Sequence, residues 1–355
     1  MINNYLRKDL LDFKNYHVPT LDYKIKLDAN ENPFFHSENV MAKAIEWLQE
    51  KDNLTRYPDN NQNSLREKIG TTFGVTKDNV ICGVGSDQII EYILKVFIDP
   101  GDTILVPSPS FSMYQLSNTL NHGKTVEYEL EDDFSYNIEK IIDLYQIHNP
   151  KVIFICSPNN PTGTIISKAK LKQLLEVVKC PVVIDEAYGE FIDDGMISEI
   201  NYHKQIVILK TFSKAFGLAG LRVGYGIGST SMIDAISIAK APYNLSSFSA
   251  AMAEMVLTDI EYYKENIKLI KENRDYLFEN LKKVPVIDEV YPSEGNFILI
   301  KVKDTGVANH LQHFRILVRG YGNSGRLANC IRLTIGNKEE NEMLLKRLNE
   351  FYKLF

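Results

Sequence analysis

Between about residues 60 and 240 the chain repeats one pattern, a short unbroken apolar run followed by a stretch with helical spacing. Lys151-Val-Ile-Phe-Ile-Cys156, Pro181-Val-Val-Ile-Asp185 and Gln205-Ile-Val-Ile-Leu209 are the clearest runs. A strand with one wet face alternates apolar and polar residues. A run that is apolar on both sides suits a strand buried on both faces, as in a parallel sheet sandwiched by helices. Asn79-Val-Ile-Cys82 and Thr103-Ile-Leu-Val106 predict two further strands, and residues 87–97 a helix between them. The expected fold class is therefore α/β with a large, mainly parallel sheet.

After Leu245 the pattern changes. Residues 250–257 and 261–283 carry apolar positions three and four apart with charges between them, which predicts helices. Strands are expected over 295–301, 316–319 and 330–334, and a closing amphipathic helix over 338–352. This reads as a large domain over residues 40–245 and a smaller α+β domain assembled from 1–39 and 246–355.

A chain of 355 residues with 44% hydrophobic and 24% charged residues is an ordinary globular protein. Its formal net charge of -6, with lysines scattered among acids, argues against a nucleic-acid partner. No apolar run approaches the roughly 18 residues of a membrane span. The polar N-terminus lacks the apolar core of a signal peptide, so a cytoplasmic location is expected. Cys82, Cys156, Cys180 and Cys330 lie far apart with no Cys-x-x-Cys pair, which suits reduced thiols and predicts neither a disulfide framework nor a metal site.

The polar residues that could do chemistry stand just after the expected strands, where open α/β sheets bind ligands. Lys214 follows the run 205–209 in Thr211-Phe-Ser213-Lys214-Ala-Phe-Gly-Leu-Ala-Gly-Leu-Arg222. A lysine on rigid backbone at the mouth of a sheet, partly desolvated, is a nucleophile for an aldehyde cofactor. Ser213 and Arg222 offer a hydroxyl and a planar cation for a phosphate. Gly83-Val-Gly85-Ser86-Asp87 leads into a helix whose free N–H groups favour a phosphate; a tight turn with Asp87 as helix cap is the rival reading.

Ser157-Pro-Asn159-Asn160-Pro-Thr-Gly163 is a stiff loop whose Asn159 amide suits a phenolic oxygen. Asp185 ends a buried strand, a costly place for a carboxylate unless a cation such as a protonated ring nitrogen faces it. Tyr188, three residues on, can share the phenolic oxygen with Asn159. Taken singly, Asp185 could be a helix cap and Tyr188 a core aromatic. Together, Asn159, Asp185, Lys214 and Arg222 are spaced by 26, 29 and 8 residues, in the order of one active site.

The Lys214 segment, the Pro-Thr-Gly loop and the Asp185-Glu-Ala-Tyr strand end resemble the fold-type I aminotransferases, which depend on pyridoxal 5′-phosphate (PLP). The resemblance covers nearly the whole chain and implies that family's fold, a large mainly parallel sheet domain with a smaller α+β domain. It gives Lys214, Asp185 and Tyr188 catalytic roles, and places PLP against Ser86, Asp87, Asn159, Ser213 and Arg222 as well. Phe111 falls where the family stacks a ring on the pyridine, often a Tyr. Tyr57 matches the tyrosine that reaches the phosphate from the neighbouring subunit, which implies a homodimer; an exposed-loop tyrosine is the alternative.

Leu27-Asp-Ala-Asn30-Glu-Asn-Pro33, Asp185-Glu-Ala-Tyr-Gly-Glu-Phe191 and Ala241-Pro-Tyr-Asn-Leu-Ser246 resemble in particular the histidinol-phosphate aminotransferase group. That resemblance implies transamination between histidinol phosphate and 2-oxoglutarate, with glutamate as the physiological amino donor. Arg332 then grips the glutamate carboxylate, Arg332 and Arg319 the substrate phosphate, and Tyr16 and Asn30 stand near the substrate. Arg319 could instead be merely solvated. Tyr16 follows Asn15 where the group has Pro. The rivals are a lyase similar to threonine-phosphate decarboxylase and an aromatic amino-acid aminotransferase.

Overall fold

The structure, a computed structural model, describes residues 5–10, 21–193 and 195–353. The described residues form strands β1 (Ile25–Leu27), β2 (Val80–Val84), β3 (Thr103–Ser108), β4 (Lys124–Glu129), β5 (Val152–Cys156), β6 (Val182–Asp185), β7 (Ile206–Thr211) and β8 (Val223–Gly228). Four more follow, β9 (Ile287–Val290), β10 (Phe297–Val302), β11 (Ile316–Gly320) and β12 (Cys330–Thr334). Seven make a sheet in the order β2-β8-β7-β6-β5-β3-β4 and five make a second, β1-β11-β12-β10-β9. In the large sheet only β8 runs against its neighbours, antiparallel to β2 and β7.

The apolar runs take the place their composition requires. Every residue of β5, β6 and β7 is buried. On one face Val183, Val207 and Leu209 meet residues of the helices Gly85–Phe97 and Thr230–Ser237. On the other, Ile184 and Ile208 join a core that includes Leu171 and Leu174 of the helix Lys168–Val177. Each such side chain contributes about 1.5–3 kcal/mol on leaving water.

Four strands carry no sequence prediction. β4 is an edge strand reading Lys-Thr-Val-Glu-Tyr-Glu, in which only Tyr128 is buried. β8 reads Val-Gly-Tyr-Gly-Ile-Gly, which by composition looks like a loop, yet it is buried throughout. The reason is close approach: a Cβ on Gly224 would lie 2.2 Å from the Ser86 amide nitrogen. β2 continues through Gly83 to Val84 and the helix begins at Gly85, two residues earlier than expected. Asp87 is thus inside the first turn and is not the cap.

The helix Ile260–Leu281 buries Ile270, Leu277 and Leu281 and packs against β9 and β10. β1 pairs in parallel with β11, so the N-terminal side of the chain enters the second sheet beside its C-terminal strands. Among the described residues no helix is long and apolar enough to cross a membrane.

Candidate active site

A cleft of about 420 Å³ opens where β5, β6 and β7 end, and the second sheet closes it from the other side through β11 and β12. The alternation of side chains along the strands decides what enters it. Cys156, Asp185 and Thr211, each the last residue of its strand, line the cleft. The loop after β7 adds Ser213 and Lys214, and the start of the helix Gly85–Phe97 adds Ser86 and Asp87.

Lys214 stands at the centre. Its Nζ donates to the Ala29 carbonyl at 2.7 Å and lies 5.8 Å from the Tyr188 ring centroid. Burial, with the positive charges of Arg332 and Arg222 acting in the same sense against Glu31 and Asp87, lowers its pKa to about 7. A large share of the amine is therefore unprotonated and nucleophilic at neutral pH.

Asp185 is buried, and burial pushes its carboxyl up to about 6 even though it accepts from Tyr114 Oη at 2.6 Å and from the Ala187 amide at 3.0 Å. Among the described residues no lysine or arginine lies within ion-pair distance of it. Tyr114 is held in turn by an offset stack on Phe154 at 4.7 Å and an edge contact with Phe111 at 5.6 Å, and Phe111 lines the cleft.

At one end the groups suit a phosphate. Arg222, in the left-handed region with φ 53°, donates from Nη1 to Ser213 Oγ at 3.2 Å and from Nη2 to Asp87 Oδ2 at 3.1 Å. Gly85, at φ +71°, has no room for a side chain, since a Cβ there would lie 2.6 Å from Arg222 Nη2. Burial raises the Asp87 carboxyl, opposed by the charges of Arg222 and Lys214.

The other end carries two arginines. Arg319 and Arg332 face each other across β11 and β12, and both line the cleft. Arg332 donates to Asn160 Oδ1 and to the Asp28 carbonyl, both at 2.5 Å, while its Nε has no described partner. These acceptors are neutral, so they orient the guanidinium without cancelling its charge.

Residues 22–348 match the model of the family described as aminotransferase class I and II. The chain belongs to that family. This aminotransferase is 41% identical over 352 residues to the histidinol-phosphate aminotransferase of Ruminiclostridium cellulolyticum, covering 98% of each chain. It superposes with a TM-score of 0.86 on the histidinol-phosphate aminotransferase from Clostridium acetobutylicum, at 26% identity over 93% of this chain and 100% of that one. The same enzyme from Sinorhizobium meliloti, in complex with pyridoxal-5′-phosphate, gives a TM-score of 0.86 at 22% identity, over 94% of this chain and 91% of that chain.

Class I and II aminotransferases are PLP enzymes, and this one is PLP-dependent. Its residues fit the group. Lys214 presents an amine for the aldehyde, and Asp185 is a buried carboxylate without a cation. Arg222 and Ser213 stand together for the phosphate. Tyr188 Oη accepts from Asn30 Nδ2 at 2.9 Å but donates to no described residue, and burial holds its hydroxyl protonated, leaving an O–H for a phenolic oxygen.

Two expectations are corrected. Asn159 is fully buried, and its amide is spent on its own loop and the loop after β3: Oδ1 accepts from Ser110 at 2.6 Å, and Nδ2 donates to the Pro109 carbonyl at 3.0 Å and to Thr162 Oγ1 at 2.8 Å. The next residue, Asn160, lines the cleft instead. Asn30 is also fully buried; beyond its bond to Tyr188, it accepts on Oδ1 from Thr334. It supports Tyr188 from behind and does not face the substrate space.

Tyr57 is 82% exposed and stacks on Tyr243 at 4.6 Å, beside a separate groove of about 490 Å³ with Trp47 and Glu254. A single chain does not bring it to the cleft. Tyr16 lies outside the described residues. The sequence reading missed Tyr114 as a partner of Asp185, and no spacing signals it. Among the described residues no group of three or more His, Cys, Asp or Glu could hold a metal ion.

Proposed function

We propose that this aminotransferase interconverts L-histidinol phosphate and 2-oxoglutarate with imidazole-acetol phosphate and L-glutamate, running toward histidinol phosphate in histidine biosynthesis. The name of the 41% identical relative brings this substrate. The observation in the molecule that carries it is the arginine pair, Arg319 beside Arg332, lining the same cleft as Lys214. Two guanidiniums suit a phosphate dianion, and the fork of Arg332 also suits the carboxylate of glutamate.

Bound in the cleft, PLP supplies an aldehyde and a ring that stabilises negative charge at the substrate Cα. Asp185, supported by Tyr114, would hold the proton of the ring nitrogen. Asn160 and Tyr188 would hold the phenolic oxygen, Phe111 would cover the ring, and Ser86, Ser213, Arg222 and the backbone N–H of Asp87 in the first helical turn would hold the phosphate. Lys214 Nζ, whose pKa burial lowers to about 7, would take the proton from the substrate Cα. The enzyme is a homodimer in which Tyr57 completes the phosphate site of the partner subunit, and it works in the cytoplasm.

The test is product analysis. Protein with PLP, L-histidinol phosphate and 2-oxoglutarate is expected to form glutamate in equal amount with the keto product and no carbon dioxide. Carbon dioxide from threonine phosphate without a 2-oxo acid, and no glutamate from histidinol phosphate, would move the protein to the lyases.

A further inference from the structure

Behind Asp185, on the opposite face of the sheet, lies an ion cluster that the cleft does not use. Lys210 Nζ is 2.9 Å from Glu190 Oε1 and 3.3 Å from Glu186 Oε2, with side-chain exposures of 4%, 7% and 1%. Alternation puts it there. Lys210 shares a face of β7 with Ile208, in the core that holds Tyr225, whereas Leu209 belongs to the core beside Tyr114. Glu186 follows Asp185 directly, and its amide donates to the Leu209 carbonyl at 2.9 Å.

The surroundings are shaped to the cluster. Glu186 Oε1 accepts from the Met196 amide at 2.7 Å. A Cβ on Gly189 would lie 2.7 Å from Lys210 Nζ. The Phe73 ring lies 5.6 Å from the ammonium, and the buried Tyr225 hydroxyl has no described hydrogen-bond partner. Two carboxylates on one lysine keep negative charge in a dry place, which burial alone would oppose. Burial raises Glu190, and the Glu186 charge is among the causes that raise Asp185.

We propose that Lys210, Glu186 and Glu190 are positioning residues: the cluster ties the ends of β6 and β7 together, and so fixes Asp185 and Lys214 relative to each other while keeping negative charge behind Asp185. The proposal rests on the assignment of Asp185 and Lys214 to the cofactor. The groups already facing those two residues are Tyr114 and Asp87 for Asp185, and Arg332, Arg222, Glu31 and Asp87 for Lys214. None of them replaces a charge lost from the cluster.

Lys210→Met alone strands two buried carboxylates and is expected to fold poorly. The informative variants are Lys210→Met with Glu186→Gln and Glu190→Gln, which removes every charge, and Lys210→Arg, which keeps the charge but not the geometry. Each is loaded with PLP, and the visible absorbance of the bound cofactor is titrated against pH beside wild type. The expected result is a midpoint displaced by about half a pH unit or more, faster cofactor release, and kcat lowered about tenfold with KM for glutamate little changed. Folded variants with the wild-type midpoint, release rate and kcat would overturn the proposal and leave the cluster a purely structural one. A wild-type chain with no visible band would overturn the cofactor assignment beneath it.

Discussion

At Lys214 a pKa near 7 has a direct kinetic consequence. Its unprotonated fraction rises from about 10% at pH 6 to about 90% at pH 8. The rate at which cofactor-free protein captures PLP, followed by stopped flow, is expected to climb about tenfold over that interval and then level off. A lysine at its ordinary value would give a rate still rising tenfold per unit at pH 9. Asp185 makes a stability statement. Its folded pKa of about 6 lies above the ordinary 3.8, so the native state binds more protons in that window and loses stability as pH rises through it. The shift of about two units corresponds to about 3 kcal/mol. Asp185→Asn is therefore expected to stabilise the cofactor-free protein by about 1–3 kcal/mol at pH 8 and hardly at all at pH 4, measured by urea unfolding. It is also expected to lower turnover at least about a hundredfold. Asp185, Ser213 and Lys214 can be approached from the sequence because they stand at or just after strands whose apolar runs are legible, whereas Arg222 precedes β8 and Arg332 lies inside β12. Asn159 was the wrong one of two adjacent amides, because side-chain direction in a Pro-rich loop follows from which amide the loop consumes, and composition is blind to that. Tyr114 was missed because its link to Asp185 spans 71 residues.

At the scale of elements, periodicity read β5, β6 and β7 because burial on both faces leaves an unbroken apolar run. β8 escaped it for the opposite reason. Gly224 stands where the start of the helix Gly85–Phe97 comes too near for a side chain, and a strand with three glycines in six residues has the composition of a loop. Gly224→Ala tests that explanation. With 2.2 Å between a Cβ and the Ser86 nitrogen, β8 or the helix start must move, at a cost of at least about 1–3 kcal/mol. The part of the cleft lined by Ser86, Asp87 and Arg222 is built on that helix start. A lower melting temperature should come with PLP binding weakened about tenfold or more by spectroscopic titration. Wild-type PLP affinity in a folded Gly224→Ala protein would separate the packing of β8 from the cofactor site.

The whole molecule joins two sheets across one cleft, with Asp185 and Lys214 at the end of the large sheet and the arginine pair on the small one. The sequence changes pattern after Leu245, but β1, three residues long, left no signal of its own. The exposed Tyr57 bears on assembly. Light scattering is expected to give twice 40.6 kDa, and a mixture of Tyr57→Ala and Lys214→Ala subunits should regain activity that each lacks alone, since one hybrid site is intact. A monomer with full activity would contradict this. The chemistry of the cleft depends above all on which lysine holds the cofactor, and borohydride reduction of the PLP-loaded protein followed by peptide mass spectrometry reads that directly. The pyridoxyl mass is expected on Lys214 and nowhere else. Its appearance on Lys210 or another lysine, with Lys214 unmodified, would contradict the account.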